Sequence, residues 1–206
     1  LSGVRAGQTD PSRNAYAEAK STSGGILSGN GANAKAWLAY TISTDVTGSL
    51  RGTSGTSSRI TLGSDANTAT AESFASGKVF GGVAIGATLS SAGQEAGKVA
   101  SVRTTFTDAT VTGQNVSLRA TNDPTVRTTA ESGSGGLVAG SGAEVDQRIN
   151  AKTALTFAGT TTLAARNLSI AARQTGRTSS SLDTLSAALV GVSGAKAKST
   201  LIADTD

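Results

Sequence analysis

Small and larger residues alternate one by one along several short stretches of this chain. The stretches Ala15–Ser21 and Ala32–Trp37 place alanine at every second position, and Ala69–Ser73 and Val116–Ala120 alternate in the same way. Because a strand sends successive side chains to opposite faces, a period of two buries all the small residues on one face. A helix would spread the same alanines around its circumference. The pattern therefore predicts strands, and the small inward residues predict that two sheets approach closely.

One segment, Ser179–Val190, fits two interpretations. Three of its leucines recur at helical spacing, which is compatible with a short helix. The segment also aligns with stretches that alternate elsewhere in the chain, which favours a strand. Turns are expected at Thr9–Arg13 and Asn122–Thr125, where an Asp-Pro pair has polar neighbours.

A glycine-rich motif occurs four times along the chain. Its copies are Gly135–Ala143, Gly24–Ala32, Gly81–Ala87 and Ala187–Ala195, and the last copy has alanine in place of the glycine pair. Their first residues lie 57, 54 and 52 positions apart, in chain order. We expect the glycines to form tight corners and close contacts between coils. The polar residues just before them are expected to tolerate substitution. The glycines assigned to this motif are Gly24, Gly25, Gly29, Gly81, Gly82, Gly86, Gly135, Gly136, Gly140 and Gly191.

A second set of positions repeats with nearly the same spacing. The apolar residues Ile60, Val116 and Leu168 open similar alternating stretches and lie 56 and 52 positions apart. A fixed period of this size is typical of repeat architectures. The predicted repeats cover approximately residues 1–57, 58–114, 115–166 and 167–206.

Short strands and glycine or asparagine turns at this period predict an all-β fold. The expected architecture is a parallel β-helix, or β-solenoid, of about 3.7 repeats of about 54 residues. We expect three coils of about 18 residues in each repeat, with two coils of about 27 residues as the alternative. About eleven coils stacked at about 4.8 Å would form a rod of roughly 50 Å.

The composition is unlike that of an ordinary globular protein. Aromatic residues make up 3% of the 206 residues, and 26 residues are glycine, so a core of large side chains is not expected. The absence of Cys fits a secreted protein that avoids stray disulfides during export, although a short cytosolic chain can lack Cys too, and the absence of Met indicates a fragment or a processed chain. The net charge is +4, but Lys and Arg are scattered singly, which argues against a nucleic-acid partner. No apolar run is long enough to span a membrane.

The repeat unit resembles a known family. The order of the strand Val116–Ala120, a polar strand and the glycine motif Gly135–Ala143 resembles the repeats of filamentous-haemagglutinin-like adhesins and related giant bacterial exoproteins. The resemblance covers essentially the whole chain and rests on pattern. It implies a right-handed parallel β-helix at the bacterial cell surface or outside the cell. It also implies export through an outer-membrane transporter, although the family's N-terminal secretion domain is absent from this sequence.

Few residues offer catalytic chemistry. A sequence without His or Cys excludes a Ser-His-Asp or Cys-His site and a zinc site built from imidazole or thiolate. Glu144 and Asp146 share a strand face, and we expect this face to be a solvated outer surface. No acids are concentrated as in polysaccharide-cleaving β-helices, so no enzymatic activity, cofactor or metal is expected.

The glycine motifs also suit two ligand-binding interpretations that we reject. A phosphate loop at Gly133–Gly136 would need a helix after it, and none is predicted. Calcium-binding nonapeptides need an aspartate that every copy lacks, because the corresponding positions hold Asn30, Ala87, Ser141 and Ser193.

Two further features are surface candidates. Asn115 and Asn167 match a glycan acceptor pattern at equivalent repeat positions, but we favour turn asparagines stacked between coils. Trp37 and Tyr40 are expected to cover the edge of a coil, with a contact surface as the alternative.

Three classes of function fit this description. We expect a structural stalk or passenger segment of a large secreted bacterial surface adhesin. The alternative is a subunit of an extracellular filament or sheath formed by end-to-end stacking. A carbohydrate- or ice-binding module is the third, although no Thr-x-Thr column recurs at a fixed position. The expected partners are adjoining solenoid repeats or copies of the chain, and a host or neighbouring-cell receptor or glycan.

Overall fold

The chain forms an all-β structure in this computed structural model, which describes residues 14–52, 59–66 and 69–206. The turn expected at Thr9–Arg13 lies outside the described residues. Within them there are eight strands and no helix. The strands are β1 (Asn14–Trp37), β2 (Tyr40–Arg51), β3 (Arg59–Ala66), β4 (Thr70–Gly93), β5 (Ala100–Asn122), β6 (Thr125–Ala158), β7 (Thr162–Gln174) and β8 (Arg177–Thr205).

All described strand pairs are parallel and belong to one sheet. Its main path is β1-β4-β6-β5-β2, and β3 and β7 pair with β5 while β8 pairs with β6. The pairing joins residues far apart in sequence: Asn14 pairs with Thr70, Thr70 with Thr125, and Thr125 with Arg177. Such a register stacks the chain in four tiers, which we number 1 to 4 in chain order. Tier 1 comprises residues 14–52 and 59–66, tier 2 residues 70–122, tier 3 residues 125–174 and tier 4 residues 177–206.

The expected coil of about 18 or about 27 residues is therefore wrong. Paired residues lie between 51 positions apart, as for Ala100 and Ala151, and 61 positions apart, as for Gly48 and Ala109. The reason is that the strands of one tier pack on each other through side chains, and backbone pairing occurs between tiers. At about 4.8 Å per tier, the four tiers rise by only about 14 Å, and the expected rod of roughly 50 Å is wrong as well.

The first part of each tier is a narrow arch. In tier 2, the two ends of β4 lie against each other, with Ser73 Oγ 2.5 Å from Ser90 Oγ, so the strand folds back near Gly81–Val83. Small side chains fill the space between the two legs: Ala32 and Ala34 of tier 1 pack with Ala75 of tier 2. The close approach predicted from the small inward residues is thus found between two legs of one strand, and not between two separate sheets.

The second part of tiers 1 to 3 is a wider lobe with large apolar side chains. In tier 2, β5 folds back on itself, since Asn122 Nδ2 donates to the carbonyl oxygen of Ala100, and it encloses Phe106, Val111, Val116 and Leu118. All four are buried. Most of the large apolar side chains that are buried thus lie in one core beside the alanine-lined arch.

The segment with two interpretations, Ser179–Val190, is part of strand β8. The backbone of this segment is hydrogen bonded in parallel to β6, so the three leucines lie along a strand and not on one face of a helix. The strand interpretation is confirmed. The equivalence of Ile60, Val116 and Leu168 is also confirmed, because Val116 pairs with both of the others.

Candidate functional site

The copies of the glycine motif stack on one another at the bend of the arch, but the alignment drawn from the sequence is wrong by one residue for the second copy. Gly81 pairs with Gly25 below and Gly136 above. Gly24 and Gly135 instead pair with Phe80. The second copy therefore begins at Phe80. Matching glycine to glycine misses this register because the inward and outward alternation of side chains decides it.

Two of the motif glycines lie where tiers approach most closely. A Cβ atom on Gly81 would be 2.0 Å from the carbonyl oxygen of Gly25, and one on Gly136 would be 1.9 Å from that of Gly81. No L side chain fits at such distances. A Cβ on Gly82 would lie 2.9 Å from the carbonyl oxygen of Ile26, and one on Gly191 would lie 2.7 Å from Ser186 Oγ.

The other motif glycines have more space. A Cβ atom on Gly24, Gly29 or Gly140 would meet nothing closer than 3.7 Å, which is ordinary van der Waals contact. Gly86 and Gly135 are intermediate, since a Cβ on either would lie 3.1 Å from a side-chain carbon, of Val79 and Phe80 respectively. At Gly25 the nearest atom would be 3.5 Å away. The motif therefore combines obligatory glycines with positions that only favour small residues.

The tip of the arch carries large apolar side chains that face outward. In tiers 2 and 3, which have neighbours on both sides, Phe80 is 55% exposed, Ile85 65%, Leu137 61% and Val138 47%. Their exposure therefore results from an outward orientation, not from an open end of the stack. We call this surface the apex ridge; it consists of Ile26, Leu27, Phe80, Val83, Ile85, Leu137, Val138, Leu189, Val190 and Val192.

The wider lobe presents a polar groove of about 420 Å³ on its outer face. Asn167 Nδ2 in tier 3 donates a hydrogen bond of 2.8 Å to Asn115 Oδ1 in tier 2. Arg59 in tier 1 is the register partner of Asn115. The stacking of these asparagines is confirmed, although they lie on strands rather than in turns. Ser117, Ser169 and the amides line the same groove and offer hydrogen-bond donors and acceptors.

The acidic pair lies on the outer face of an arch leg. Glu144 and Asp146 alternate with the buried residues Ala143 and Val145, which confirms that they share the outward face. Lys196 Nζ in the next tier is 3.0 Å from Glu144 Oε1, so that carboxylate is neutralised by an exposed ion pair. Exposed pairs of this kind contribute little to stability.

A buried amide connects three tiers at the entrance of the wider lobe. Asn122 is fully buried, and its Nδ2 donates to the carbonyl oxygens of Ala100, at 2.8 Å, and of Lys152 in tier 3, at 3.2 Å. Its Oδ1 accepts a hydrogen bond of 2.6 Å from Tyr40 Oη in tier 1. Tyr40 also packs against both large clusters of apolar residues, as expected for a covering residue. Asn122 was predicted only as part of a turn.

We expect Tyr40→Phe to destabilise the chain by about 1–2 kcal/mol, because the substitution leaves Asn122 Oδ1 buried without this donor. The matched control is Tyr16→Phe, since Tyr16 Oη donates to Glu18 Oε2 at an exposed site. That change should cost less than about 0.5 kcal/mol. Urea unfolding followed by far-ultraviolet circular dichroism compares the two variants. Equal losses of unfolding free energy would contradict the role of Asn122.

Lys152 forms exposed ion pairs with Asp204 and Asp206. The pKa of the exposed Lys152 amine is raised above its usual 10.5, first by its hydrogen bond with Asp206 and then by that with Asp204. A raised amine pKa stabilises the fold below pH 10.5, and this contribution is lost only as the pH rises through the higher folded value. The contribution of Lys152 to stability therefore depends on pH only in the alkaline range. Within the described residues, no group of three His, Cys, Asp or Glu side chains is placed to hold a metal ion.

Comparison of the chain with protein-family models, curated proteins and solved structures found no match. The resemblance to adhesin repeats thus stays a prediction from the sequence. In the part of the chain that the structure describes, no helix is long and apolar enough to cross a membrane. The sequence pattern predicted neither the apex ridge nor the hydrogen bonds of Asn122.

Proposed function

We propose that the chain is a right-handed β-solenoid segment that serves as a stalk or passenger region of a large secreted bacterial surface adhesin. Its role is structural and not enzymatic. Its partners are adjoining repeats, and the outer-membrane transporter during export. The handedness, the surface location and the export route follow the resemblance to filamentous-haemagglutinin-like repeats.

The observation that carries this proposal is the parallel pairing of similar segments 51 to 61 residues apart. In such a stack each tier touches only the next one: β1 contacts β4, β4 contacts β6, and β6 contacts β8 among the described arches. Length then grows by adding tiers, without redesign of the core. This is the property that a stalk requires.

The same property supports a second candidate, a filament subunit. Copies that stack end to end would continue the pairing of the first and last tiers, as a strand edge does when it meets a suitable partner. The two candidates differ in what the isolated chain does. Filaments of the purified 206-residue chain in electron micrographs would favour the subunit, and a persistent monomer would favour the stalk.

Deletion of one whole tier tests the structural role. Removing the 52 residues Val116–Asn167 joins Asn115 to Leu168, and Val116 and Leu168 are register partners. We expect a folded chain shorter by one tier, about 4.8 Å, because β8 then stacks on β4 in the same register. Small-angle X-ray scattering measures the length, and circular dichroism reports the strands.

The control deletion removes half a tier. Without the 26 residues Thr125–Asn150, tier 3 lacks its arch and β8 lacks its partner, so cooperative unfolding should be lost.

In the surface-displayed protein, the whole-tier deletion should preserve cell attachment. If attachment is lost while folding and surface level are preserved, the deleted residues contain a specific binding site and the passive role is wrong.

A further inference from the structure

The apex ridge has the properties of a surface that becomes buried from water when it binds a partner. The segments that form it contain no charged residue in any tier: residues 21–34, 79–91, 132–143 and 184–195 are uncharged. Large apolar side chains are exposed at the tip in all four tiers.

The backbone of the ridge does not need water either. On both sides of the bend, the chain is paired tier to tier, through Gly81 with Gly136 and Val83 with Val138. Peptide groups that are already hydrogen bonded enter an apolar medium without the large penalty paid by free ones. The ridge therefore combines apolar side chains with a largely satisfied backbone.

The shape of the ridge argues against a protein partner. Four tiers rise by about 14 Å and two packed legs are about 10 Å thick, so the tip offers a footprint of about 150 Å². A stable protein interface buries about 800 Å² on each partner. A narrow edge cannot supply this area against a second protein surface, but it can penetrate between lipid molecules.

The charges around the ridge determine the kind of lipid surface. The first charged residue on each side of each tip gives four lysines and four carboxylates, which cancel. A net attraction to anionic headgroups is therefore not expected, and apolar contact dominates. These eight residues are Lys20, Lys35, Lys78, Glu95, Glu131, Glu144, Asp183 and Lys196.

We propose that the apex ridge inserts into the interfacial region of a lipid bilayer, with its apolar tips among the acyl chains. Zwitterionic lipid is sufficient, and salt has little effect. Side chains of the outer tiers such as Ile26 and Leu189 and of the inner tiers such as Phe80 and Leu137 enter together. The insertion needs neither the adhesin assignment nor a protein receptor.

The test is co-sedimentation of the 206-residue chain with phosphatidylcholine vesicles. The double variant Leu137→Gln with Leu189→Gln removes two stacked, outward tips, and we expect its partition coefficient to fall at least about tenfold. The matched control is Val99→Gln with Ile202→Gln, two exposed outward residues far from the arch tip, with 39% and 51% exposure. The control should bind vesicles like the unchanged chain.

A second variant reports the depth of insertion. Leu137→Trp in a Trp37→Phe background leaves one indole at the tip, and its fluorescence should shift to the blue and be quenched by brominated phosphatidylcholine. The proposal is overturned if the folded chain does not bind the vesicles, or if both double variants bind equally. It is also overturned if binding requires anionic lipid and disappears with salt. A further contradicting result would be a dimer formed through the ridge that the Leu137→Gln, Leu189→Gln double variant abolishes while its binding to vesicles is unchanged.

Discussion

Gly136→Ala is expected to destabilise the chain by about 2–3 kcal/mol, although it adds only one methyl group. The added Cβ would lie 1.9 Å from the carbonyl oxygen of Gly81, an atom of the backbone that cannot rotate away. Relief of the overlap requires tiers 2 and 3 to separate at the bend, which weakens the hydrogen bonds beside it. The same column accepts a methyl in tier 4, where Ala188 packs against a small apolar cluster.

The control for this prediction is Gly142→Ala, six residues further along the same strand. A Cβ there would be 3.9 Å from the nearest atom, the carbonyl oxygen of Gly194. We expect a change within about 0.5 kcal/mol. Thermal and urea unfolding of the two variants measure the difference. A loss of the same size at both positions would show that general glycine entropy, not close approach of tiers, explains the effect.

The strands and their inward faces are well predicted from the sequence, because one-by-one alternation has a single geometrical meaning. Ala32, Ala34 and Ala36 are all buried, and Asn33 and Lys35 between them are exposed. The size of a coil is not predicted by the same pattern. Alternation does not tell whether two strands pair through their backbones or pack through their side chains, and the arch uses the second arrangement.

The polar residues before the glycine motif show a related failure. Ser134, in the polar stretch before the motif, was expected to tolerate substitution, but it is buried and its hydroxyl lies 3.4 Å from Ser186 Oγ in the next tier. The arch is so narrow that a hydroxyl inside it reaches partners on another tier or leg, as Ser90 Oγ does with the carbonyl oxygen of Ser73. Serine is therefore an interior residue here, contrary to its usual preference.

The exposed position of the apex ridge also escaped the sequence prediction. Leu137 and Val138 lie in a motif identified by its glycines, and the sequence pattern predicted no orientation for their side chains. The bend reverses the chain within about three residues, so the legs face each other while the side chains at the tip point away. The contact of Ser73 with Ser90 across the arch locates that bend.

Phe106→Ala is expected to have the largest effect of a single substitution, about 3–5 kcal/mol. Phe106 is fully buried in the wider lobe and stacks on Phe157 of tier 3, with ring centroids 5.3 Å apart. The alanine-lined arch buries little area per residue, so most of the hydrophobic stabilisation of tiers 1 to 3 comes from this lobe. A cavity at Phe106 also removes packing from the tiers on both sides.

The matched control is Phe80→Ala, the same substitution in the same tier but on the apex ridge. Because the Phe80 side chain is more than half exposed, we expect a loss below about 1 kcal/mol. Urea unfolding of both variants, followed by circular dichroism, gives the comparison. Similar losses would mean that the arch and the wider lobe contribute equally to stability. A much larger loss for Phe106→Ala would show that the stack is held together through its wider lobe, which leaves the arch tips free to contact other surfaces.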